Sequence, residues 1–293
     1  MDVGGMVAWH PVLGGLLIVG GAVALALLAA EVVRRYVNRD VLLAHNELAG
    51  FILAVIGVVY AVLLGFVAIG VWERFDQAEV RTYSEAGQLA TIYRDADAFS
   101  AGPHLRDQLR SYIETVVNGE WPLMQHGSES ALADRQIERI DATVRHLPVR
   151  NGLQQNAQAQ MLASAEAALA DRDQRIFMDA SGLRPVMWWT LMLGGVVTVG
   201  FALLFGFSSA LMQRLMIAAL AAIIGLVLYL TLSLDFPYRG VVSVKSEAFS
   251  QALETFAHID AERSEMPAPL PARSPYGMPA KMPRPPATLS PGR

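Results

Sequence analysis

The sequence contains no cysteine, so it has neither disulfide bonds nor thiolate chemistry, and cysteine usage says nothing about its compartment. Charged residues are scarce, at 17% of the 293 residues, whereas hydrophobic residues make up 53%. The formal net charge of −4 argues against a broadly basic nucleic-acid-binding protein, and we expect no nucleic-acid partner. This composition is too apolar for an ordinary soluble domain and indicates a protein whose main partner is the lipid bilayer.

Motifs for catalysis and metal binding are also missing from the sequence. It has no glycine-rich phosphate loop, no His-Glu-x-x-His zinc motif and no Gly-x-Ser-x-Gly nucleophile. The histidines are spread along the chain rather than clustered, at positions 10, 45, 104, 126, 146 and 258. We therefore expect neither an enzyme nor a cofactor or metal site.

Four stretches contain no charged side chain at all: residues 11–30, 48–72, 185–213 and 215–234. Each is long enough to cross the hydrocarbon core, which takes about 20 residues at ~1.5 Å per residue. The sequence thus predicts an all-α protein with four transmembrane helices, placed at residues 11–34, 48–72, 185–206 and 214–235. No Lys or Arg precedes Pro11, so we interpret the first run as a retained span and not as a cleaved signal.

Charge is concentrated between the second and third spans, at residues 73–184. Proline, glycine and apolar periodicity predict a helical bundle there, inserted between the two spans, with a helix cap at Asn151 and Gln154. A juxtamembrane segment and helix should follow at 236–264. Residues 265–293 are rich in proline and should form a disordered tail.

The second span carries small residues on one stripe, including Gly57, Ala61 and Gly65. Such a stripe lets a neighbouring helix approach closely. Its partner is either another span of the same chain or, in an oligomer, a second copy, in which case the span can line a pore. Phe66, one turn from Val62, would narrow such a path. These residues are the pore-lining candidates.

Polar and aromatic residues mark the two ends of the second span. His45 and Asn46 precede it, and Trp72 and Glu73 follow it. A helix cap or an interfacial anchor explains them simply, whereas a role in ion gating is the functional alternative.

Several ordered landmarks resemble a bacterial family of uncharacterised membrane proteins described as bestrophin-like. They are His45-Asn46, Gly57-x-x-Tyr60-Ala61-Val62-Leu63-Leu64-Gly65-Phe66, Trp72-Glu73-Arg74, Glu85, Tyr93-Arg94, Glu120-Trp121-Pro122, Ser181-Gly182-Leu183 and Asp235-Phe236-Pro237-Tyr238-Arg239-Gly240. The likeness covers residues 31–256. A more distant resemblance, through Leu64-Gly65-Phe66 and Trp72-Glu73-Arg74, links the second span to the pore helix of the bestrophins.

That distant resemblance implies a homo-oligomer, pentameric in the bestrophins, that conducts anions and keeps its helical block in the cytosol. Arginine counts point the other way, because Arg34, Arg35 and Arg39 place residues 31–47 inside by the positive-inside rule. We let the resemblance decide, and expect a multi-pass protein of the bacterial inner membrane with a cytoplasmic block. The leading hypothesis is an oligomeric channel for small ions, namely anions, lined by the second span. The alternative is a non-conducting scaffold or sensor that binds a partner protein through its helical block.

Overall fold

The computed structural model describes residues 11–37, 46–206, 209–240 and 242–265, and within these ranges the regular structure is entirely helical. The helices are α1 (Pro11–Tyr36), α2 (Asn46–Asp95), α3 (Gly102–Thr115), α4 (Trp121–Met124), α5 (Ala131–Arg145), α6 (Gly152–Ala180), α7 (Pro185–Leu203), α8 (Ala210–Leu234) and α9 (Glu247–Glu265). A short 3-10 turn, Ala96–Ala98, follows α2, and a π-helical turn, Val116–Glu120, joins α3 to α4. His45 and the predicted tail beyond Glu265 lie outside the described residues.

Four of the described helices are long and apolar enough to cross a membrane, namely α1, the first half of α2, α7 and α8. This agrees with the all-α fold with four spans that the sequence predicts. The helices run past the charge-free stretches, since α1 continues to Tyr36 and α8 already begins at Ala210.

Helix α2 runs for 50 residues without a break, or about 75 Å at 1.5 Å per residue. No proline occurs between Leu48 and Phe99, so nothing interrupts its hydrogen bonds. It ends at Asp95, and the 3-10 turn then leads to Gly102 at the start of α3. A Cβ at that position would overlap the carbonyl oxygen of Ala96, so the turn requires glycine. One helix therefore forms both the second span and a wall of the bundle.

The candidate spans pack together, and Ile224 of α8 lies in one cluster with Tyr60 of α2 and Leu191 of α7. Helix α7 lies on α2, where the Tyr60 hydroxyl donates to the carbonyl oxygen of Leu191 at 3.1 Å and Gly194 leaves room for the Tyr60 ring. Helix α1 lies on α8, where Gly225 lets the backbone of Val19 approach closely. Small residues thus bring these helices together, as is usual in lipid.

The second half of α2, together with α3 to α6 and α9, surrounds one large hydrophobic core. Its most enclosed members are aliphatic and aromatic side chains: Leu89, Ile92, Tyr93, Leu105, Leu109, Tyr112, Ile113, Phe249 and Phe256. The predicted cap of α6 is present, because Asn151 Oδ1 accepts the backbone N–H of Gln154 at 2.8 Å. The Gln154 side chain in turn accepts the N–H of Arg150 at 2.8 Å.

Candidate functional site

The span part of α2 has a packed back and an open front. Tyr60, Leu64 and Val71 are buried against neighbouring helices. On the other side, Val58, Val62 and Phe66 are 63%, 52% and 72% exposed. Residues two apart lie about 200° apart around a helix, so Val62 points away from the face that carries Tyr60. We call Val58, Val62 and Phe66 the front stripe.

The small-residue stripe has no partner within the described part of the chain. A Cβ at Gly57 or Gly65 would meet no heavy atom within 4 Å, and Ala61 is exposed. Only at Gly50, nearer the helix start, does a neighbour approach, with the Phe205 ring 3.6 Å from such a Cβ. Packing of Gly57, Ala61 and Gly65 against another span of the same chain is therefore not what the structure shows.

The four pore-lining candidates divide between two faces of α2. Gly57, Ala61 and Gly65 follow one another at four-residue spacing and share a face. Phe66 is one residue beyond Gly65, and therefore about 100° around the helix. It lies with Val62 in the front stripe.

The residues at the ends of the second span have different surroundings. The Asn46 amide donates to the Gly206 carbonyl at 2.8 Å and accepts the Gly206 N–H at 2.9 Å, so it ties the start of α2 to the end of α7. Trp72 is 62% exposed, and Glu73 is exposed with no ion pair to any described residue. Asn46 thus has a structural role that links two helices. Trp72 and Glu73 are exposed, so lipid, water or another copy can contact them.

Two landmark runs meet where the spans join the bundle. The Asp235 carboxylate accepts the Leu183 N–H at 2.6 Å and the Trp188 indole N–H at 3.3 Å. Arg239 donates to Asp179 at 3.0 Å, near the end of α6. Burial raises the pKa of Asp179, an effect that the hydrogen bond from Arg239 opposes. These contacts fix the ends of α6 and α8 to the start of α7.

A buried ion network lies at the centre of the bundle. Arg175 donates through Nε to Glu85 at 2.8 Å and through Nη2 to Glu120 at 2.8 Å, and all three side chains are fully buried. Glu120 also accepts from Arg172 at 2.8 Å. Burial alone would lower the pKa of Arg175, but the charges of Glu85 and Glu120 raise it well above its usual value.

Two buried tyrosines lie close to this network. The Tyr112 hydroxyl donates to Glu85 at 2.6 Å, and burial together with the charge of Glu85 raises the Tyr112 pKa well above its usual value. The Tyr238 hydroxyl donates to the Ala78 carbonyl at 2.9 Å, and burial raises its pKa to about 12. Glu85, Glu120 and Arg175 are fully buried and are paired with one another, so we interpret the network as structural.

Sequence reasoning missed this network, although a signal for it exists. The apolar stripe of α6, which includes Met161, Ala165 and Ala168, continues at the same spacing as Arg172 and Arg175. Charged residues that prolong an apolar stripe point into a core, and buried charges need partners. Among the described residues, no group of three or more His, Asp or Glu side chains is placed to hold a metal ion.

Comparison with known proteins gives one match. No curated protein and no solved structure matches the chain significantly. The family model described as the bestrophin-like domain matches residues 20–249, which is most of the chain and contains all of the landmarks quoted above. The chain belongs to the bestrophin-like family.

Proposed function

We propose that copies of this chain assemble side by side with the front stripe of α2 facing a central path for small ions. The observation that supports this most directly is the contrast between the two sides of α2, whose back is packed while Val58, Val62 and Phe66 stay exposed. Because neighbouring helices pack on the back of α2, its exposed front can face the centre of a ring of copies. The likeness to bestrophins suggests five copies.

The small-residue stripe, formed by Gly57, Ala61 and Gly65, makes the contact between copies in this proposal. Gly57, Ala61 and Gly65 lie about 100° from the front stripe, so they face sideways when the front stripe faces the centre. Their bare backbone has room for a neighbouring helix. A ring needs such a lateral contact in addition to a lining face.

The front stripe would also form the constriction. Val58, Val62 and Phe66 are spaced by four residues, so their side chains stack along one line on the helix. A ring of apolar side chains can close a narrow path by expelling its water. Phe66 is the largest of the three and sets the narrowest point.

Two features of the chain suggest opposite charges for the conducted ion. The likeness to bestrophins suggests anions. The front of α2, however, continues beyond the membrane with Glu73 and Asp76, which are exposed and have no ion pair among the described residues. Rings of carboxylates are typical of cation pathways. The reversal potential in a salt gradient distinguishes the two.

The helical block lies in the cytoplasm in this proposal, and the protein is a multi-pass protein of the bacterial inner membrane. Because the chain lacks cysteine, Ser128→Cys and Tyr36→Cys each introduce a single thiol. In intact cells, an impermeant reagent should label Tyr36→Cys and spare Ser128→Cys. Labelling of Ser128→Cys would reverse the orientation.

Ion flux from liposomes tests the proposal. We expect the wild-type protein to release small ions, and Phe66→Ala to release them several-fold faster because the constriction widens. Phe177→Ala is the matched control, since Phe177 is also an exposed phenylalanine but lies on α6, outside the spans. If the wild-type protein and Phe66→Ala are both silent although insertion and oligomer mass are verified, the protein is a scaffold or sensor that binds a partner through its helical block.

A further inference from the structure

A cleft of about 400 Å³ opens between α2 and the start of α7. Phe66, Val67 and Arg74 line it from α2, and Arg184 and Met187 line it from the other side. It includes Phe66 of the front stripe and extends along the flank of α2 that faces α7.

Two arginines in this cleft lack acidic partners. Arg74 is held in place because its Nη2 donates to the backbone carbonyl and to the hydroxyl of Ser181, the latter at 3.2 Å. Neither Arg74 nor Arg184 forms an ion pair with any described carboxylate, whereas the nearby Arg81 and Arg239 both do.

The Asp235 carboxylate, which lies close to Gly182, is already engaged elsewhere. Asp235 lies behind Gly182 and accepts the N–H groups of Leu183 and Trp188. The residues that line the cleft include two arginines and no carboxylate, so the lining itself is positively charged. An anionic group is therefore the complementary ligand.

The cleft also changes from polar to apolar along its length. On α2, Arg74 is followed in the direction of the membrane by Gly70, Val67 and Phe66. Phe66 lies about 12 Å from Arg74 along the helix axis. On the other wall, Arg184 is followed in the same direction by Met187. Both walls thus place a cation at one end and apolar surface at the other.

Tryptophans indicate where this change lies relative to the bilayer. Trp72 is two residues from Arg74 and Trp189 is five residues from Arg184, and they are 62% and 75% exposed. Exposed tryptophans are enriched at the headgroup level of membranes. The two arginines consequently lie at the depth of lipid phosphates, and the apolar end lies at the depth of the acyl chains.

We propose that this cleft binds a phospholipid, with the phosphate between Arg74 and Arg184 and one acyl chain along Val67 and Met187. A guanidinium offers paired N–H donors that match the oxygens of a phosphate. The site needs only one copy of the chain, so it stands whether or not the protein conducts ions.

Native mass spectrometry of the full chain in detergent tests the proposal. We expect a retained adduct with phosphatidylglycerol, and about tenfold weaker retention of a diacylglycerol with the same chains, because the charged hydrogen bonds are lost. Arg184→Gln should weaken phosphatidylglycerol binding about tenfold. The Arg184 side chain forms no hydrogen bond or ion pair with a described residue, so its loss should not affect folding. Arg74→Gln/Arg184→Gln should lose the adduct.

The matched control is Arg34→Gln/Arg214→Gln, which removes two arginines that pair with Glu31 at the other end of the spans. It should leave phosphatidylglycerol binding unchanged. Equal retention of diacylglycerol would overturn the proposal, as would displacement of the lipid by millimolar inorganic phosphate, which would indicate a site for free anions. An altered oligomer mass with unchanged lipid binding in the arginine variants would show instead that a second copy of the chain covers the cleft.

Discussion

The bundle and the spans differ in how many of their side chains are buried or paired within one chain. In the bundle even the charges of Glu85, Glu120 and Arg175 are buried and satisfied. In the spans, large apolar side chains such as Val62 and Phe66 stay exposed, and the backbone at Gly57 is bare. The bundle thus encloses a large core within one chain, whereas the apolar side chains of the spans are left for lipid or further copies to cover.

Glycines show the same difference within the spans themselves. Gly194 is covered by the Tyr60 ring, whose Cδ2 would lie 2.5 Å from a Cβ at that position. Gly57 and Gly65 have nothing within 4 Å. The contact at Gly194 is therefore filled within the chain, whereas the backbone at Gly57 and Gly65 stays open.

The largest effect should come from Arg175→Met in the bundle. It leaves Glu85 and Glu120 buried without their cation, so we expect a loss of about 3–5 kcal/mol in the free energy of unfolding. Chemical unfolding in detergent, followed by tryptophan fluorescence, measures this loss. Arg150→Met is the control, because Arg150 is exposed and its side chain has no described partner. A loss below about 1 kcal/mol would mean that the network does not hold the bundle together.

Gly194→Ala should destabilise the packing of α7 on α2. The added methyl group overlaps the Tyr60 ring, and overpacking typically costs about 1–3 kcal/mol. Gly200→Ala is the matched control on the same helix, since a Cβ there meets no heavy atom within 4 Å. Thermal unfolding of the two variants compares them. Equal melting temperatures would show that Tyr60 does not fill this site.

Alkaline pH should weaken the bundle. The raised pKa of Tyr238 means that the folded state keeps a proton that the unfolded state releases above pH 10, so stability falls as pH rises. Between pH 9 and 11 we expect a loss of about 1.4 kcal/mol from this tyrosine, and more from Tyr112, whose pKa is raised in the same direction. Unfolding across this range measures the slope. Tyr238→Phe should reduce it, and an unchanged slope would contradict the assignment.

Gly57→Leu should hardly change the folding of one copy, because the site is open within the chain. It should instead lower the oligomer mass in detergent, since the larger side chain keeps neighbouring helices apart. Leu63→Ile, on another face of α2, is the control and should leave the mass unchanged. If Gly57→Leu keeps the wild-type mass and stability, the small stripe simply faces lipid.

Features set by neighbouring residues were predictable from the sequence. The four apolar spans and the cap at Asn151 each depend on residues that are close together in the sequence. Contacts between distant residues were not. Arg175 meets Glu85 from 90 residues away, and Tyr60 meets Leu191 from 131 residues away.

The same reason limits the prediction of the candidate site. Periodicity defines the faces of α2, and it separates Phe66 from Gly65. Which face packs on α7 depends on the surface of α7, so only the structure identifies Tyr60 and Leu64 as the back of the helix. The front stripe follows from that assignment.

Cysteine accessibility in assembled protein tests the proposed path most directly, because the chain has no cysteine of its own. Single cysteines at Val58, Val62 and Phe66 should react with a small water-soluble thiol reagent in membranes, whereas a cysteine at Leu64 should not. A water-filled path beside the front stripe requires this pattern. If none of the three front positions reacts although the oligomer is intact, that face meets lipid, and α2 does not line a path for ions.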